Sequence, residues 1–154
     1  MPDVKILFLH GMEGTPEGSK PTFLKDEGYR VVAPVLPKDD WALSVQRAED
    51  CFINFRPDIV VGSSRGGAVA MAFPTGHVPK ILIAPAWVKF RLKDFHVDET
   101  TTILHHINDE LVDYQNSVDL KENFGCELFE CGTCHRMSDP DALATLLREV
   151  RDYE

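Results

Sequence analysis

The segment Asp58-Ile59-Val60-Val61-Gly62-Ser63-Ser64-Arg65-Gly66-Gly67-Ala68-Val69-Ala70-Met71 decides how this chain is read. A short apolar run leads into Gly-x-Ser-x-Gly at 62–66, and small and apolar residues suited to a helix follow. That order belongs to a strand, a sharp turn and a helix. Such a turn strains the backbone of its central residue and leaves no space for side chains two positions either side, so Gly62 and Gly66 flank Ser64. It lifts the Ser64 hydroxyl clear of the sheet and sets it beside the positive end of a helix. Five residues with three fixed positions recur by chance; the strand before and the helix after give this pattern its meaning.

Outward from 58–71, short apolar runs alternate with helical patterns. Strands are predicted at 4–9, 30–35, 58–61, 80–84, 101–105 and 127–130, nearly continuous in apolar residues, as strands buried on both faces of a parallel sheet are. Helices are predicted at 19–27, 41–54, 64–73, 110–123 and 139–152. The last has Pro140 in its first turn and Leu143, Leu146, Leu147 and Val150 at spacings that share a face. The stretch 85–100 lacks clean periodicity and reads as a short lid-like connection. The expectation is one α/β domain over 1–154, with about six mostly parallel strands, helices on both faces and a minimal cap.

In open α/β sheets, ligands bind beyond the carboxyl ends of the strands. Those ends carry His10-Gly11-Met12 after the first run, Ser64 after the third, His106-Ile107-Asn108-Asp109 after the fifth, and Cys131-Gly132-Thr133-Cys134-His135 after the sixth. A hydroxyl, a carboxylate and an imidazole thus fall on one rim. Their order along the chain, Ser64 then Asp109 then His135, is that of an α/β-hydrolase triad.

From Ile6 to Met137 the chain resembles the small, cap-poor α/β-hydrolases, and within them the compact bacterial esterase-like serine hydrolases. The resemblance implies Ser64 as nucleophile, His135 as base and Asp109 as the acid that orients it. Asp109 stands in a pattern of the form Gly-x-x-Asp-x-x-Val, with His106 in place of the glycine, and Glu110 and Asp113 are its neighbouring rivals. His10 and Gly11 match the loop after the first strand, His10 as a structural residue that shapes it. The backbone N–H groups of Met12 and Arg65 match the oxyanion hole. A serine hydroxyl attacks a carbonyl only when a base takes its proton, and an imidazole, with an ordinary pKa of about 6.5, suits that task near neutrality. The implied activity is cleavage of a carboxylic ester or thioester through an acyl-enzyme, with no cofactor. Trp87, Phe90 and Phe95 in the 85–100 stretch are candidate walls of an acyl pocket, or else a cover for the core. The Arg65 side chain, with Lys89 or Arg91, is a candidate for attracting an anionic group, or else pairs with a nearby carboxylate. A non-catalytic binding protein that keeps this fold is the alternative from a different class.

Composition fits this reading. The chain has 154 residues, 44% hydrophobic and 27% charged, the size and balance of one globular domain with a real core. The formal charge of −9, without a dense basic cluster, argues against nucleic acid or an anionic membrane as partner; the resemblance implies a small-molecule ester or thioester substrate. No run is long enough to span a bilayer, and the first residues lead straight into a strand rather than a leader pattern, so a cytoplasmic location with reduced thiols is expected.

Other motifs fare less well. Cys131-Gly132-Thr133-Cys134-His135 fits C-x-x-C-H, a haem-attachment pattern, but that reading needs an oxidising compartment and leaves the serine turn unexplained. A zinc site formed with Cys126 would draw ligands from opposite ends of one strand, so no metal is expected. The glycine-rich stretch 11–20 is out of register with a phosphate loop and carries Glu13 and Glu17.

Overall fold

Alternation within each strand sends successive side chains to opposite faces, and here both faces are covered. The computed structural model describes residues 3–12 and 14–154. In chain order, these form β1 (Lys5–Leu9), α1 (Ser19–Asp26), β2 (Arg30–Val32), α2 (Trp41–Phe55), β3 (Ile59–Ser63), α3 (Arg65–Met71), β4 (Lys80–Ile83), β5 (Thr102–His105), α4 (Tyr114–Phe124), β6 (Glu127–Glu130) and α5 (Pro140–Arg151). The six strands make one sheet in the order β2-β1-β3-β4-β5-β6. Every neighbouring pair is parallel.

Ile6, Phe8, Ile59, Val61, Ile81, Ile83 and Leu104 face one side, under Leu24 of α1 and Ala142, Leu146 and Val150 of α5. Leu7, Leu9, Val60, Leu82 and Ile103 face the other, under Ala48 of α2, Val69–Met71 of α3 and Leu120 of α4. The central strands β3, β4 and β5 are buried along their whole length, whereas the edge strands β2 and β6 are partly exposed.

Most element ends follow from local chemistry. Asp40, Asp113 and Asp139 each cap a helix by accepting from a backbone N–H, of Leu43, Gln115 and Ala142 respectively. The predicted helix at 110–123 starts only at Tyr114, because the residues before it form the loop that holds Asp109. The expected apolar face of α5 is also rotated: Ala142, Thr145, Leu146, Glu149 and Val150 are its buried residues, while Leu143 is half-exposed. The stretch 85–100 packs Trp87, Leu92, Phe95 and Val97 against the second core layer. The buried Lys80 ammonium fastens its end by donating to the carbonyls of Phe73 at 2.9 Å and His96 at 2.6 Å.

The chain leaves β1 for β2 on one side and returns through β3 on the other. This reversal opens a crevice at the carboxyl ends of β1 and β3, where the loop after β1 meets the turn after β3.

Candidate active site

The turn after β3 is as sharp as its glycines require. Ser64 has φ 56° and ψ −114°, a left-handed conformation that an L-residue adopts at a cost. Its N–H donates to the Ile83 carbonyl at 2.8 Å, and its own carbonyl accepts from Ala86 at 3.0 Å, which pins the strained residue from two sides. A Cβ at Gly62 would lie 2.5 Å from the Gly66 carbonyl oxygen, and one at Gly66 would run into the Leu9 carbonyl. Helix α3 begins at the next residue, Arg65.

Ser64 Oγ lies 2.9 Å from His135 Nε2, and His135 Nδ1 lies 2.6 Å from Asp109 Oδ2. Nδ1 faces a carboxylate and therefore carries the hydrogen, leaving Nε2 to accept the Ser64 hydroxyl proton. The Asp109 side chain is fully buried and that of His135 is 16% exposed. Burial alone would push the Asp109 carboxyl up; hydrogen bonds from the Val112 N–H, His135 and the Leu111 N–H outweigh it and hold the group below its ordinary value. Its Oδ1 takes both backbone donors at 2.8 Å. Of the three neighbouring acids, only Asp109 reaches the imidazole; Asp113 is spent as the cap of α4.

His105, the last residue of β5, carries no pattern in the sequence that marks it for a site. It is wholly buried behind Asp109, with Nε2 3.1 Å from Asp109 Oδ2 and 3.1 Å from the Val112 carbonyl, and Nδ1 2.7 Å from Ser117 Oγ. Two acceptors at Nε2 place the hydrogen there, so Nδ1 accepts from the Ser117 hydroxyl. Burial lowers the His105 pKa, outweighing the opposing pull of the Asp109 charge. Ser64, His135, Asp109, His105 and Ser117 therefore form one hydrogen-bonded row running from the cleft into the sheet.

His10 sits just after β1 with both ring nitrogens engaged by backbone. Its Nδ1–H donates to the Gly11 carbonyl at 2.8 Å and its Nε2 accepts from the Leu36 N–H at 3.0 Å, locking the neutral ring under the loop after β1. Gly11 lies so close that a Cβ there would be 3.4 Å from the Ser64 Cβ. His10, Gly11, Met12, Ser64, Arg65 and His135 all line one cleft of about 700 Å³.

The aromatic expectations divide. Phe90 lines the cleft. Trp87 and Phe95 lie outside its described lining: they pack on each other with ring centres 5.3 Å apart, Phe95 meets Phe124, and the Trp87 indole donates to the Asn116 carbonyl. These two rings cover the core. The Arg65 side chain is already engaged by neutral acceptors, and among the described residues it has no carboxylate partner. It is 2% exposed, donates to the Pro37 carbonyl and Ser44 Oγ, both at 3.1 Å, and lies within 5.6 Å of the ring centres of Trp41 and Phe90. Cys126 and Cys131 are buried at the two ends of β6, Cys134 is exposed, and all four cysteines are free thiols.

No protein-family model and no curated protein matches the sequence. Solved structures do match the fold. A Xanthomonas campestris pv. campestris protein assigned to the α/β superfamily of hydrolases superposes with a TM-score of 0.75 at 19% identity, over 97% of this chain and 95% of its own. The ydeN gene product of B. subtilis gives 0.74 at 14% identity, over 97% and 98%. Est1E of Butyrivibrio proteoclasticus, in its structure with ferulic acid bound, gives 0.74 at 15% identity, over 97% and 87%. The chain thus has the α/β-hydrolase fold, without a large cap. Among the described residues, no helix is long and apolar enough to cross a membrane.

Proposed function

We propose that this protein is a serine hydrolase that cleaves a carboxylic ester or thioester through an acyl-enzyme on Ser64. The observation that carries the reading is the row of Ser64 Oγ, His135 and Asp109, with successive separations of 2.9 and 2.6 Å. Esterases among the solved structures that share the fold are consistent with it, as is the ferulic acid held by Est1E.

In this mechanism, Ser64 Oγ attacks the substrate carbonyl as its proton passes to His135 Nε2. Asp109 keeps the ring in the required tautomer and stabilises the imidazolium that forms. The oxyanion of the tetrahedral intermediate accepts from the N–H groups of Met12 and Arg65, each such donor contributing roughly 3–4 kcal/mol to the transition state. Collapse breaks the bond to the leaving oxygen or sulfur, which takes the proton from His135. Water then attacks the acyl-enzyme with His135 again as base, releasing the acid and restoring Ser64.

Turnover of 4-nitrophenyl esters and labelling by a fluorophosphonate test this directly. Ser64→Ala is expected to abolish both. Labelling of the variant to the same extent as the parent protein would rule the mechanism out.

A further inference from the structure

The chain has 25 Asp and Glu against 16 Lys and Arg, so its surface is predominantly acidic. Among the described residues, the lining of the cleft over Ser64 reverses that balance. Its described lining includes Lys20, Arg65, Lys89 and Arg136 and no Asp or Glu. The Arg65 guanidinium is occupied beneath the cleft, as shown above. Glu17, on the glycine-rich loop, is exposed and outside the lining.

Lys20 and Arg136 come from opposite parts of the chain, the start of α1 and the residue after His135. Lys20 Nζ joins them by donating to the Arg136 carbonyl at 2.6 Å. Among the described residues, no carboxylate oxygen lies within 4.0 Å of the charged nitrogens of Lys20, Lys89 or Arg136. Burial pushes the Lys20 ammonium down to about 8, and the neighbouring Arg136 charge adds to the shift. The hydroxyls of Ser19 and Ser138, 2.9 Å apart, line the same wall and add donors. A half-buried cation beside a second cation, with no carboxylate close by among the described residues, is held at a cost. An oxyanion relieves it and gains charge-assisted hydrogen bonds.

We propose that the wall formed by Lys20 and Arg136 is a subsite for a carboxylate or phosphate carried by the substrate, so that the preferred substrate is an anionic ester or thioester. The inference rests on Ser64 being the nucleophile, because it places the anion on the same molecule as the bond that is cut.

Two pairs of esters test it and separate the two sides of the scissile bond. 4-Nitrophenyl hemiglutarate against 4-nitrophenyl pentanoate puts the charge on the acyl group. 4-Acetoxyphenyl phosphate against 4-methylphenyl acetate puts it on the leaving group. At low salt, the charged member of at least one pair is expected to have a kcat/KM about tenfold higher or more, the range for hydrogen bonds to a charged group. The ratio should fall toward one in Lys20→Met and in Arg136→Gln, and recover in Lys20→Arg. Parity in both pairs, or a preference that survives the double replacement, overturns the subsite. If no ester is cleaved and Ser64 resists the fluorophosphonate, the hydrolase reading is what fails. The subsite is then judged by titrating the 4-nitroanilide of glutaric acid and phenyl phosphate into the Ser64→Ala protein. Binding that Lys20→Met removes supports it; no binding ends it.

Discussion

His105 stands directly behind Asp109, its Nε2 3.1 Å from the Oδ2 atom that also faces His135. One carboxylate oxygen therefore lies between two imidazoles, one facing the cleft and one sealed in the sheet. The buried ring, fixed by Ser117 and the Val112 carbonyl, gives Asp109 Oδ2 a partner on the side away from His135. The orientation of the acid is thus set by the end of β5 and the start of α4 as well as by its own loop.

That arrangement makes His105 a positioning residue with a measurable effect. His105→Leu removes the donor and leaves the Ser117 hydroxyl buried without this partner. A lost hydrogen bond to a charged group is worth about 1.5–3 kcal/mol, so kcat on a nitrophenyl ester should fall by roughly tenfold or more, with KM changing less. Glutamine places an N–H near the position of Nε2, and His105→Gln should recover most of the rate. Equal loss in both variants would show that the ring matters only as packing.

The same ring makes stability depend on pH. In the unfolded chain His105 takes up its proton near the ordinary imidazole value of about 6.5. In the folded protein burial lowers its pKa, against the attraction of Asp109 and with a small contribution from His135 in the same direction as burial. Below about pH 6.5 the unfolded state therefore binds more protons, and stability falls as pH falls, by at most about 1.4 kcal/mol per pH unit for one group. The depressed Asp109 carboxyl adds its own loss only at lower pH, below the ordinary aspartate value of about 3.9. Urea unfolding between pH 7 and 5 should show the first effect, and His105→Gln should lack one proton's share of the slope. Identical slopes would remove His105 as the cause.

What could be read from the sequence was whatever repeats along the chain or is forced by a turn. Strand 127–130 was legible from its residues alone, and the position of Ser64 from the two glycines that its turn demands. His105 was not legible, because its role depends on a partner four residues on that folds back over it and on Ser117 arriving from α4. Trp87 and Phe95 were ambiguous for the same reason: an aromatic in an aperiodic stretch can line a cleft or cover a core, and only the packing against Phe124 decides. The pairing of Lys20 with the Arg136 carbonyl spans 116 positions, beyond any local pattern.

The turn itself can be tested against a glycine with open space around it. At Gly66 a methyl group would meet the Leu9 carbonyl at the carboxyl end of β1, where the obstacle is backbone and cannot rotate away. Gly66→Ala should cost about 3 kcal/mol or more, by displacing α3 from β1. Gly76, by contrast, has a positive φ, of 59°, and nothing lies within 4 Å of a Cβ there. Gly76→Ala should cost only the conformational preference, about 1–2 kcal/mol. Denaturant midpoints for the two variants give the comparison, and similar losses would contradict the steric account of the elbow.

Arg65 yields the least intuitive expectation. It is a fully buried cation with no ion-pair partner among the described residues, and its Nε makes no hydrogen bond. Burial lowers its pKa, with Asp39 offering a partial counterweight. Its two acceptors keep other contacts: the single Ser44 hydroxyl hydrogen is shared between the Pro37 carbonyl, at 2.8 Å, and the Asp40 carbonyl, at 2.9 Å. Removing the guanidinium therefore orphans little, while a methionine keeps most of the volume between Trp41 and Phe90. Replacing a buried charge by an apolar side chain of similar size is often neutral or stabilising, so Arg65→Met should change stability by less than about 1 kcal/mol in either direction. Arg65→Ala leaves a void beside two aromatic rings and should cost about 2–4 kcal/mol. A loss in Arg65→Met as large as that in Arg65→Ala would mean that the charge, rather than the volume, holds the floor of the cleft together.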